Sequence, residues 1–411
     1  MNPRAVVIAT GDELVRGERL ETNGFFLARE LFHAGFTLVR AVIVGDALDP
    51  LAEEVRRALP DADLVCISGG LGPTDDDLTR GAVAAALGVA VREDAAAAAL
   101  VRRSLEARGR PYTPLQARQA LLPDGCALVP NPTGTAPGFW CRRGRALLVA
   151  LPGVPGELEA MWRGPVARVL AAECPERAPP GWKILRCFGL GESEVQRRVA
   201  AVCPEARPGE IGMCAEAWAV AVYLAGRYAA CARDVRAALE PNVFGEDDDT
   251  LATVLVQALV RRGLTCAVAE SLTGGGLGYA LTSVPGASEV FRGGTIAYAE
   301  AEKVALGVSP EILAAHGAVS AATAEALAAA ARRRHEAALG LATTGYAGPS
   351  GGTGADPAGT VYIAAATAAG CRVRRVWAAG GRAAVRQVAI NYALAMGLGA
   401  VEEGFGLQPG M

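Results

Sequence analysis

Residues 63–79 read Asp-Leu-Val-Cys-Ile-Ser-Gly-Gly-Leu-Gly-Pro-Thr-Asp-Asp-Asp-Leu-Thr, and this stretch decides the fold of the first part of the chain. Its apolar beginning, Asp63–Ser68, predicts a buried strand, and the glycines that follow predict a tight turn. A helical pattern then runs from about Asp76 to Leu87 and ends at Gly88. A strand, a glycine-rich turn and a helix in this order are typical of a parallel α/β sheet.

The same alternation continues on both sides of that stretch. The predicted strands are Ala5–Ala9, Thr37–Val44, Asp63–Ser68 and Leu147–Ala150. The predicted helices are Asn23–Ala34, Pro50–Leu59, Asp76–Leu87 and Glu157–Leu170. Because strands that alternate with helices form right-handed βαβ units, we expect a mainly parallel sheet.

The rest of the chain divides at two segments that do not favour regular structure. Cys174–Gly181 is rich in proline and predicts a linker, and the acidic run Glu246–Asp249 predicts a second joint whose acids suit the first turn of the next helix. Between them, the predicted elements are Ile184–Phe188, Glu192–Val202, Ile211–Cys214, Val220–Ala225 and Ala229–Glu240. Beyond them, a helix at Leu251–Arg262 precedes strands at Thr265–Ala269, Gly294–Ala297, Leu339–Thr344, Gly359–Ala366 and Arg372–Ala378.

These segments predict three domains and an α/β fold class. An α/β domain spans residues 1–172, a small α+β module spans 182–245, and a second α/β domain spans 246–411. We expect each α/β domain to have three layers, with helices on both faces of its sheet.

Composition narrows the class of protein. The net charge is −3, and the longest basic run is Arg332–Arg334, so we expect no nucleic-acid partner. No basic and apolar leader opens the chain, and no apolar run has the length of a membrane span, so we expect no membrane partner. The ten cysteines are scattered without a Cys-x-x-Cys pair, which indicates reduced thiols in a cytoplasmic protein.

The glycine-rich turn at 68–79 is also a candidate binding site. Its glycines let backbone N–H groups approach an anion, and the start of the helix adds a favourable dipole. Acidic residues beside a phosphate would repel it unless a cation intervened, so Asp75 and Asp76 are candidate ligands for a divalent metal ion of unknown identity. The alternative is an acidic first turn that only caps the helix.

Further loops should reach the same edge of the sheet, because open α/β sheets bind ligands at the carboxyl ends of their strands. The candidate substrate-binding residues of this domain are Gly11, Asp12, Asn23, Asp46, Ser68, Gly69, Gly70, Gly72, Thr74, Asn131, Gly134, Pro152 and Gly153.

A second candidate site follows from the lysine content. Only Lys183 and Lys303 are lysines among 40 basic residues, and Lys303 follows Tyr298 closely. Lys can lose its proton when it is desolvated, whereas Arg cannot, so a lysine that persists in such a chain can serve as a base. With Ser271 at a strand-to-helix turn, these residue types suit a serine–lysine hydrolytic site. The alternatives are a lysine on a wet surface and a serine that caps a helix.

Several motifs in the chain resemble those of the CinA (competence/damage-inducible) family. In the first domain they are Thr10–Leu14, Thr22-Asn23, Gly45-Asp46, Gly69–Thr79 and Asn131–Gly138. In the middle and last domains they are Phe188–Ser193, Ala267–Gly275, Pro285–Ser288, Ala297-Tyr298, Lys303-Val304, His316–Ser320 and Gly345–Pro349.

The resemblance implies two activities. It implies a molybdopterin-binding-like first domain that hydrolyses ADP-ribose to AMP and ribose 5-phosphate with a divalent metal. It implies a last domain that hydrolyses nicotinamide mononucleotide (NMN) to nicotinate mononucleotide and ammonia without a cofactor. The partners are then small nucleotides, and a homodimer in pyridine nucleotide salvage is expected.

The resemblance also assigns residues. Ser271 is the implied nucleophile, with Tyr298 and Lys303 as its acid and base partners. The turns around Thr273, Gly274, Gly275, Thr344 and Gly345 would frame the substrate, and Arg382 and Arg386 would bind its phosphate.

Two departures from the family pattern concern this site. Leu272 stands where the family usually has Cys, and Glu300 and Glu302 lie between Tyr298 and Lys303. We expect the two extra carboxylates to raise the pKa of Lys303.

Two other functional interpretations stay open from the sequence. In one, only one of the two α/β domains is catalytic. In the other, the chain is a non-catalytic accessory protein in competence or DNA recombination. The three histidines, His33, His316 and His335, do not form a triad with Ser271 in the pattern and are expected to be structural.

Overall fold

The structure is a computed structural model that describes residues 2–175, 181–207 and 209–402. The chain forms two compact units, Met1–Pro180 and Gly181–Met411, and the second contains both the small module and the last α/β domain. Most of the predicted linker at 174–181 lies outside the described residues.

The first unit contains eight strands and eight α-helices among its described residues. The strands are β1 Arg4–Thr10, β2 Thr37–Val44, β3 Leu64–Ser68, β4 Val91–Glu93, β5 Leu121–Pro123, β6 Ala127–Val129, β7 Gly138–Arg143 and β8 Ala146–Leu151. The helices are α1 Asp12–Val15, α2 Asn23–His33, α3 Leu48–Asp61, α4 Thr79–Leu87, α5 Ala95–Glu106, α6 Pro114–Ala117, α7 Pro155–Met161 and α8 Ala167–Glu173.

The main sheet of this unit has the order β2-β1-β3-β8-β7-β6. β2, β1, β3 and β8 run parallel to one another. β7 runs antiparallel to β8, and β6 runs antiparallel to β7. β4 pairs with β5 in a separate antiparallel ladder. Leu27 and Leu31 of α2 pack on one face of the sheet, and Val55 of α3 and Val83 of α4 pack on the other. The predicted three-layer α/β architecture is therefore confirmed for this unit.

One predicted helix begins later than expected. The helix that the sequence places from Asp76 begins at Thr79, because Asp77 turns inward and accepts the N–H groups of Gly72 and Thr74. The acids therefore belong to the turn before the helix and not to its first turn. The helix predicted at Glu157–Leu170 is also interrupted, since a π-helical turn with Pro165 inside joins α7 to α8.

The small module has an antiparallel sheet with the order β10-β11-β9-β12. Its elements are β9 Trp182–Phe188, α9 Glu192–Val202, β10 Ile211–Glu216, β11 Ala219–Ala225, α10 Ala232–Leu239 and β12 Val243–Glu246. The sequence missed β12, which ends inside the predicted joint. The acids of that joint do not enter the next helix, because Thr250 caps its N-terminus together with Thr253.

The last α/β domain has a five-stranded sheet with the order β14-β13-β15-β16-β17. In this sheet β16 runs antiparallel to both of its neighbours, β15 and β17. Its strands are β13 Cys266–Glu270, β14 Phe291–Ile296, β15 Leu339–Gly345, β16 Thr360–Thr367 and β17 Gly370–Trp377. Its helices are α11 Leu251–Arg262, α12 Gly276–Thr282, α13 Glu300–Leu306, α14 Pro310–His316, α15 Ala321–Arg334 and α16 Arg382–Val401. Apolar residues of α11, α12 and α16 cover one face, and those of α13 and α15 cover the other, which again gives three layers.

One helix among the described residues, α16, is long and apolar enough to cross a membrane by length and composition alone, with a mean hydropathy of 1.2. The sequence pattern had predicted no apolar run of this length. Of the apolar window in α16, 61% is buried inside the protein, where Leu394 and Leu398 join the core with Leu255 of α11. A core helix has these properties too.

Candidate functional sites

Ser271 lies directly after β13, at the carboxyl end of the sheet. Its N–H donates to Thr343 O at 2.9 Å and so continues the ladder between β13 and β15 by one residue. The chain then turns through Gly274 and Gly275, whose φ values of 57° and 95° favour glycine, and enters α12. Ser271 is only 9% exposed, so the turn holds its hydroxyl at the edge of the interior.

Lys303 brings a buried amine to this serine. The side chain comes from α13 and is 1% exposed, and its Nζ lies 3.2 Å from Ser271 Oγ. The same Nζ donates to the carbonyls of Ala297 at 2.8 Å and Tyr298 at 3.0 Å. Carbonyls only accept hydrogen bonds, so a neutral amine with two N–H groups can satisfy both and direct its lone pair at the Ser271 hydroxyl. This geometry suits a base beside a nucleophile.

Two opposing effects set the pKa of Lys303. Burial lowers the pKa of Lys303 below its usual value, and the nearby Glu300 carboxylate raises that pKa by a smaller amount. Glu302 is exposed. The expectation that a neighbouring carboxylate raises this pKa is confirmed for Glu300, but the net shift is downward, because the cost of burying the charged amine is larger than the attraction to Glu300.

Tyr298 occupies a different position from the one its predicted role suggests. Its ring is 59% exposed, and its hydroxyl accepts an N–H from Arg382 at 3.0 Å. Within the described residues, no hydrogen bond joins this phenol to Ser271 or Lys303. The structure thus brings Ser271 and Lys303 together and pairs the Tyr298 phenol with Arg382.

The two arginines predicted to bind phosphate both lie in the first turns of α16. Arg382 donates to Gly348 O at 3.2 Å, and Arg386 donates to Thr273 O at 2.7 Å. The Nε of Arg386 is buried without a hydrogen-bond partner in the described part of the chain. Neither guanidinium pairs with a carboxylate of the described residues, so both can receive an anion.

Glu270 is a residue that the sequence reading missed. It is 1% exposed, and its carboxylate accepts the N–H groups of Gly275 and Leu277, each at 3.0 Å, and of Gly278 at 2.8 Å. The sequence predicted that N–H groups at the start of α12 bind an anion of the substrate. In the structure, the carboxylate of Glu270 accepts these N–H groups instead. The signal in the sequence was an acid between an apolar strand and a glycine run.

The N–H groups of Leu272 and Thr273 remain without a partner among the described residues. Two such groups next to a nucleophile can hold the oxyanion that forms during acyl transfer. The Thr273 hydroxyl itself bonds the Thr343 hydroxyl at 2.7 Å and fixes the turn to β15.

Thr344 and Gly345, which were predicted to frame the substrate, lie at the end of β15. The Thr344 hydroxyl donates to Ala318 O at 2.7 Å. A Cβ at Gly345 would lie 2.6 Å from Thr360 O, so the backbone approach there requires glycine.

In the first unit, several predicted residues meet at the carboxyl edge of the parallel strands. Asn23 Nδ2 donates to Ser68 Oγ at 2.8 Å and to Gly153 O at 2.9 Å, which joins α2, β3 and the loop after β8. The predicted Pro152 is buried in that loop. An open surface depression lies here. It is lined by Thr10, Glu13, Leu14, Arg19, Leu20, Glu21, Thr22, Asn23, Ser68, Gly153 and Pro155. The charged members Glu13, Arg19 and Glu21 were not predicted.

Asp12 and Asp46 bind each other's backbone. Asp46 accepts the N–H of Asp12 at 2.9 Å and the hydroxyl of Thr10 at 3.1 Å, and Asp12 accepts the N–H of Asp46 at 3.0 Å. The neighbouring Gly11 donates its N–H to Val44 O. These contacts fix the loop after β1 to the end of β2.

The glycines of the 68–79 turn are required by packing within the chain. Gly69 and Gly70 have φ values of 106° and 63°. A Cβ at Gly69 would lie 2.5 Å from Thr10 O, and one at Gly70 would lie 2.3 Å from Thr79 Oγ1. The N–H groups of Gly70 and Leu71 have no partner in the described structure and stay available to an anion.

The predicted metal ligands do not form a metal site by themselves. Asp75 forms an ion pair with Arg118, and Asp76 is exposed, with its pKa lowered by hydrogen bonds from Thr74 and from its own backbone N–H. The described residues contain no cluster of three side chains that could hold a metal ion. Asp77, the acid that was not predicted as a ligand, is engaged with the turn.

The loop with Asn131 and Gly134 is also held internally. Asn131 Oδ1 accepts the N–H groups of Thr133 and Gly134, and its Nδ2 donates to Glu157 Oε2 at 2.7 Å. No predicted ligand contact is needed to explain these two residues.

Comparison with known proteins identifies the relatives of this chain. Residues 6–172 match the family described as "Probable molybdopterin binding domain", and residues 248–400 match the "CinA C-terminal domain" family. A CinA-like protein of Myxococcus xanthus is 40% identical over 409 residues, which cover 96% of this chain and 97% of that protein. A CinA-like protein of Frankia casuarinae is 40% identical over 414 residues, which cover 95% of this chain and 94% of that protein.

Among solved structures, the CinA protein of Thermoplasma acidophilum is 36% identical to this chain. The alignment covers 40% of this chain and 98% of that protein, with a TM-score of 0.38. The first domain matches a molybdopterin-binding family, as the sequence motifs implied. Because the relatives align along nearly the whole chain, the protein belongs to the CinA family.

Proposed function

We propose that the last α/β domain is an amidohydrolase that converts NMN to nicotinate mononucleotide and ammonia. The observation that carries this proposal is the contact between the buried Lys303 amine and the Ser271 hydroxyl at 3.2 Å. The choice of NMN comes from the family resemblance, and Arg382 and Arg386, whose guanidinium groups pair with no carboxylate of the described residues, suit its phosphate.

The reaction has two steps, acylation of Ser271 and hydrolysis of the acyl ester. Lys303 Nζ accepts the proton of Ser271 while Oγ attacks the carboxamide carbon, and the carbonyl electron pair moves onto the oxygen. The N–H groups of Leu272 and Thr273 stabilise that oxyanion. When the C–N bond breaks, Lys303 returns its proton to the leaving nitrogen, which departs as ammonia. Water then attacks the acyl ester while Lys303 takes its proton. When the bond between the acyl carbon and Oγ breaks, Lys303 gives that proton to Ser271 Oγ, which restores the neutral amine and the hydroxyl and releases nicotinate mononucleotide.

The direct test is ammonia release from NMN by the purified protein and by Ser271→Ala. We expect the variant to retain less than about a thousandth of the wild-type rate, because the nucleophile is lost. Its unfolding midpoint should be near that of the wild type. Turnover near the wild-type level in the variant would exclude Ser271 as the nucleophile.

We also propose, from the family resemblance, that the first domain hydrolyses ADP-ribose. The N–H groups of Gly70 and Leu71, which have no partner in the described structure, support an anionic ligand at the turn after β3. Since Asp75 and Asp76 form no metal site of their own, the divalent cation stays a prediction. AMP formation should fall in Asp76→Ala and with a chelator, and hydrolysis that responds to neither would remove the metal from the proposal. The homodimer and the cytoplasmic location also stay predictions.

A further inference from the structure

The carboxylate of Glu270 occupies an unusual position beside the serine. Glu270 is the last residue of β13, and the next residue is Ser271. It is almost fully buried, and no cation of the described residues pairs with it. Its three N–H partners, at 2.8 to 3.0 Å, belong to the glycine turn and the first turn of α12. Backbone N–H groups and the helix dipole therefore stabilise the buried charge.

The same contacts set the path of the turn that carries Ser271. Oε2 holds Gly275 and Leu277, and Oε1 holds Gly278, so one side chain joins the end of the strand to the start of the helix. Gly274 and Gly275 have left-handed φ values and make this turn tight. With Glu270 taking the N–H groups of the helix, the two free N–H groups next to Ser271 are those of Leu272 and Thr273.

We propose that Glu270 is a positioning residue that holds Ser271 and the N–H groups of Leu272 and Thr273 in the geometry for amide hydrolysis, which rests on the function proposed above. Glu270 touches neither the substrate nor the transferred proton in this role. It acts through the backbone of the turn.

The space around the carboxylate supports the assignment. A Cβ at Gly278 would lie 3.3 Å from Glu270 Oε1, which is tight, so the glycine leaves room for the carboxylate to reach the helix. On the other side, Arg386 holds Thr273 O at 2.7 Å. A change at Glu270 therefore frees the side of the turn that faces α12, while the contacts of Ser271 and Thr273 with Thr343 and of Arg386 with Thr273 remain.

The test is Glu270→Gln, which keeps the shape of the side chain but presents an amide NH₂ where one oxygen accepted an N–H. We expect kcat for ammonia release from NMN to fall about tenfold to a hundredfold, because a displacement near 1 Å at a reacting group costs this much. KM should change by less than about threefold, since the phosphate contacts are unaffected. The pH at which kcat is half-maximal should stay that of the wild type, because Lys303 still sets it.

The matched control is Thr265→Val, just before the start of β13. The Thr265 hydroxyl accepts the N–H of Ala338 at 3.2 Å, so the variant also leaves a backbone N–H without its acceptor, but away from the serine. It should keep kcat within about twofold of the wild type. An equal loss of kcat in the two variants, or a loss in Glu270→Gln that follows the unfolded fraction, would show that Glu270 only stabilises the fold. A shifted pH profile would overturn the positioning role, because it would show that Glu270 acts on the ionisation of Lys303 and not only through the backbone of the turn.

A second readout separates this proposal from the choice of substrate. A fluorophosphonate probe reacts with an activated serine, so its labelling rate at Ser271 does not require NMN. If the wild type is labelled but releases no ammonia from NMN, the substrate assignment fails while slower labelling of Glu270→Gln still supports the positioning role. Equal labelling of wild type and variant, or no labelling of the wild type, would refute it.

Discussion

Lys303→Arg tests whether the buried amine acts as a base. The substitution keeps a positive charge at the end of a long side chain, but the guanidinium does not give up its proton in proteins. At this position Nζ lies against Ser271 Oγ and two backbone carbonyls, and burial lowers its pKa. A merely cationic role would accept Arg, whereas a base role would not.

The expected loss of kcat follows from the base role proposed for the Lys303 amine. Loss of one catalytic base typically costs ~10²–10⁴-fold in rate, so we expect kcat for NMN to fall at least about a hundredfold, with a smaller change in KM. Arg is larger than Lys and the position is buried, so Lys303→Arg can also disturb packing. Lys303→Met, whose side chain has a similar length to that of Lys, is therefore a second variant. It leaves the carbonyls of Ala297 and Tyr298 without their donor, at about 1–3 kcal/mol each if they stay dry.

The assay is steady-state ammonia release across pH, with unfolding measured for each variant. The control is Lys183→Arg, because Lys183 is a partly exposed cation between Glu246 and Asp247 at 2.6 and 3.0 Å, and Arg can keep both ion pairs. It should be silent. In the wild type the base must be unprotonated, so kcat should rise with pH and level off above a pKa below the usual lysine value. Turnover near the wild-type level in a folded Lys303→Arg would refute the base role.

Three further predictions concern the surroundings of these groups. Glu300→Gln removes the carboxylate that raises the pKa of Lys303, so the acid limb of the kcat profile should move to lower pH, and a limb that stays or moves upward would contradict this. Arg382→Met should raise KM for NMN by about tenfold or more with a smaller change in kcat, as initial-rate curves would show, because one charge-assisted phosphate contact is lost. In the first unit, Gly69→Ala should lower the free energy of unfolding by about 2 kcal/mol or more in denaturant titrations, because its φ is 106° and a Cβ would lie 2.5 Å from a backbone oxygen.

The sequence predicts the parallel core of each α/β domain because strand and helix periods are local properties. β1, β2, β3 and the helix α2 were found within one or two residues of their predicted ends. The antiparallel strands β6 and β7 of the first sheet were missed. β6 has only three residues, and its pairing with β7 depends on contacts across the turn between them, which a local pattern does not encode.

The proposed catalytic pair was accessible from the sequence for a different reason. Ser271 and Lys303 stand 32 positions apart, and their contact depends on β13 and α13 meeting at one edge of the sheet. Residue type and family resemblance selected them before any geometry. The pKa direction of Lys303 was not accessible, because neighbouring Glu300 is visible in the sequence whereas burial is a property of the fold.

The start of α12 shows how a glycine run after a strand can be misinterpreted. The pattern is equally compatible with a bound anion, a serine cap or an internal carboxylate, because all three supply acceptors for the same N–H groups. Here Glu270 supplies the acceptor from the residue just before the serine, and the N–H groups of Leu272 and Thr273 stay without a partner among the described residues. The aspartates before α4 behave in a related way, since Asp77 satisfies the turn before the helix begins. An acidic residue beside a glycine-rich turn should therefore be considered first as the occupant of that turn and only then as evidence for a metal or a phosphate.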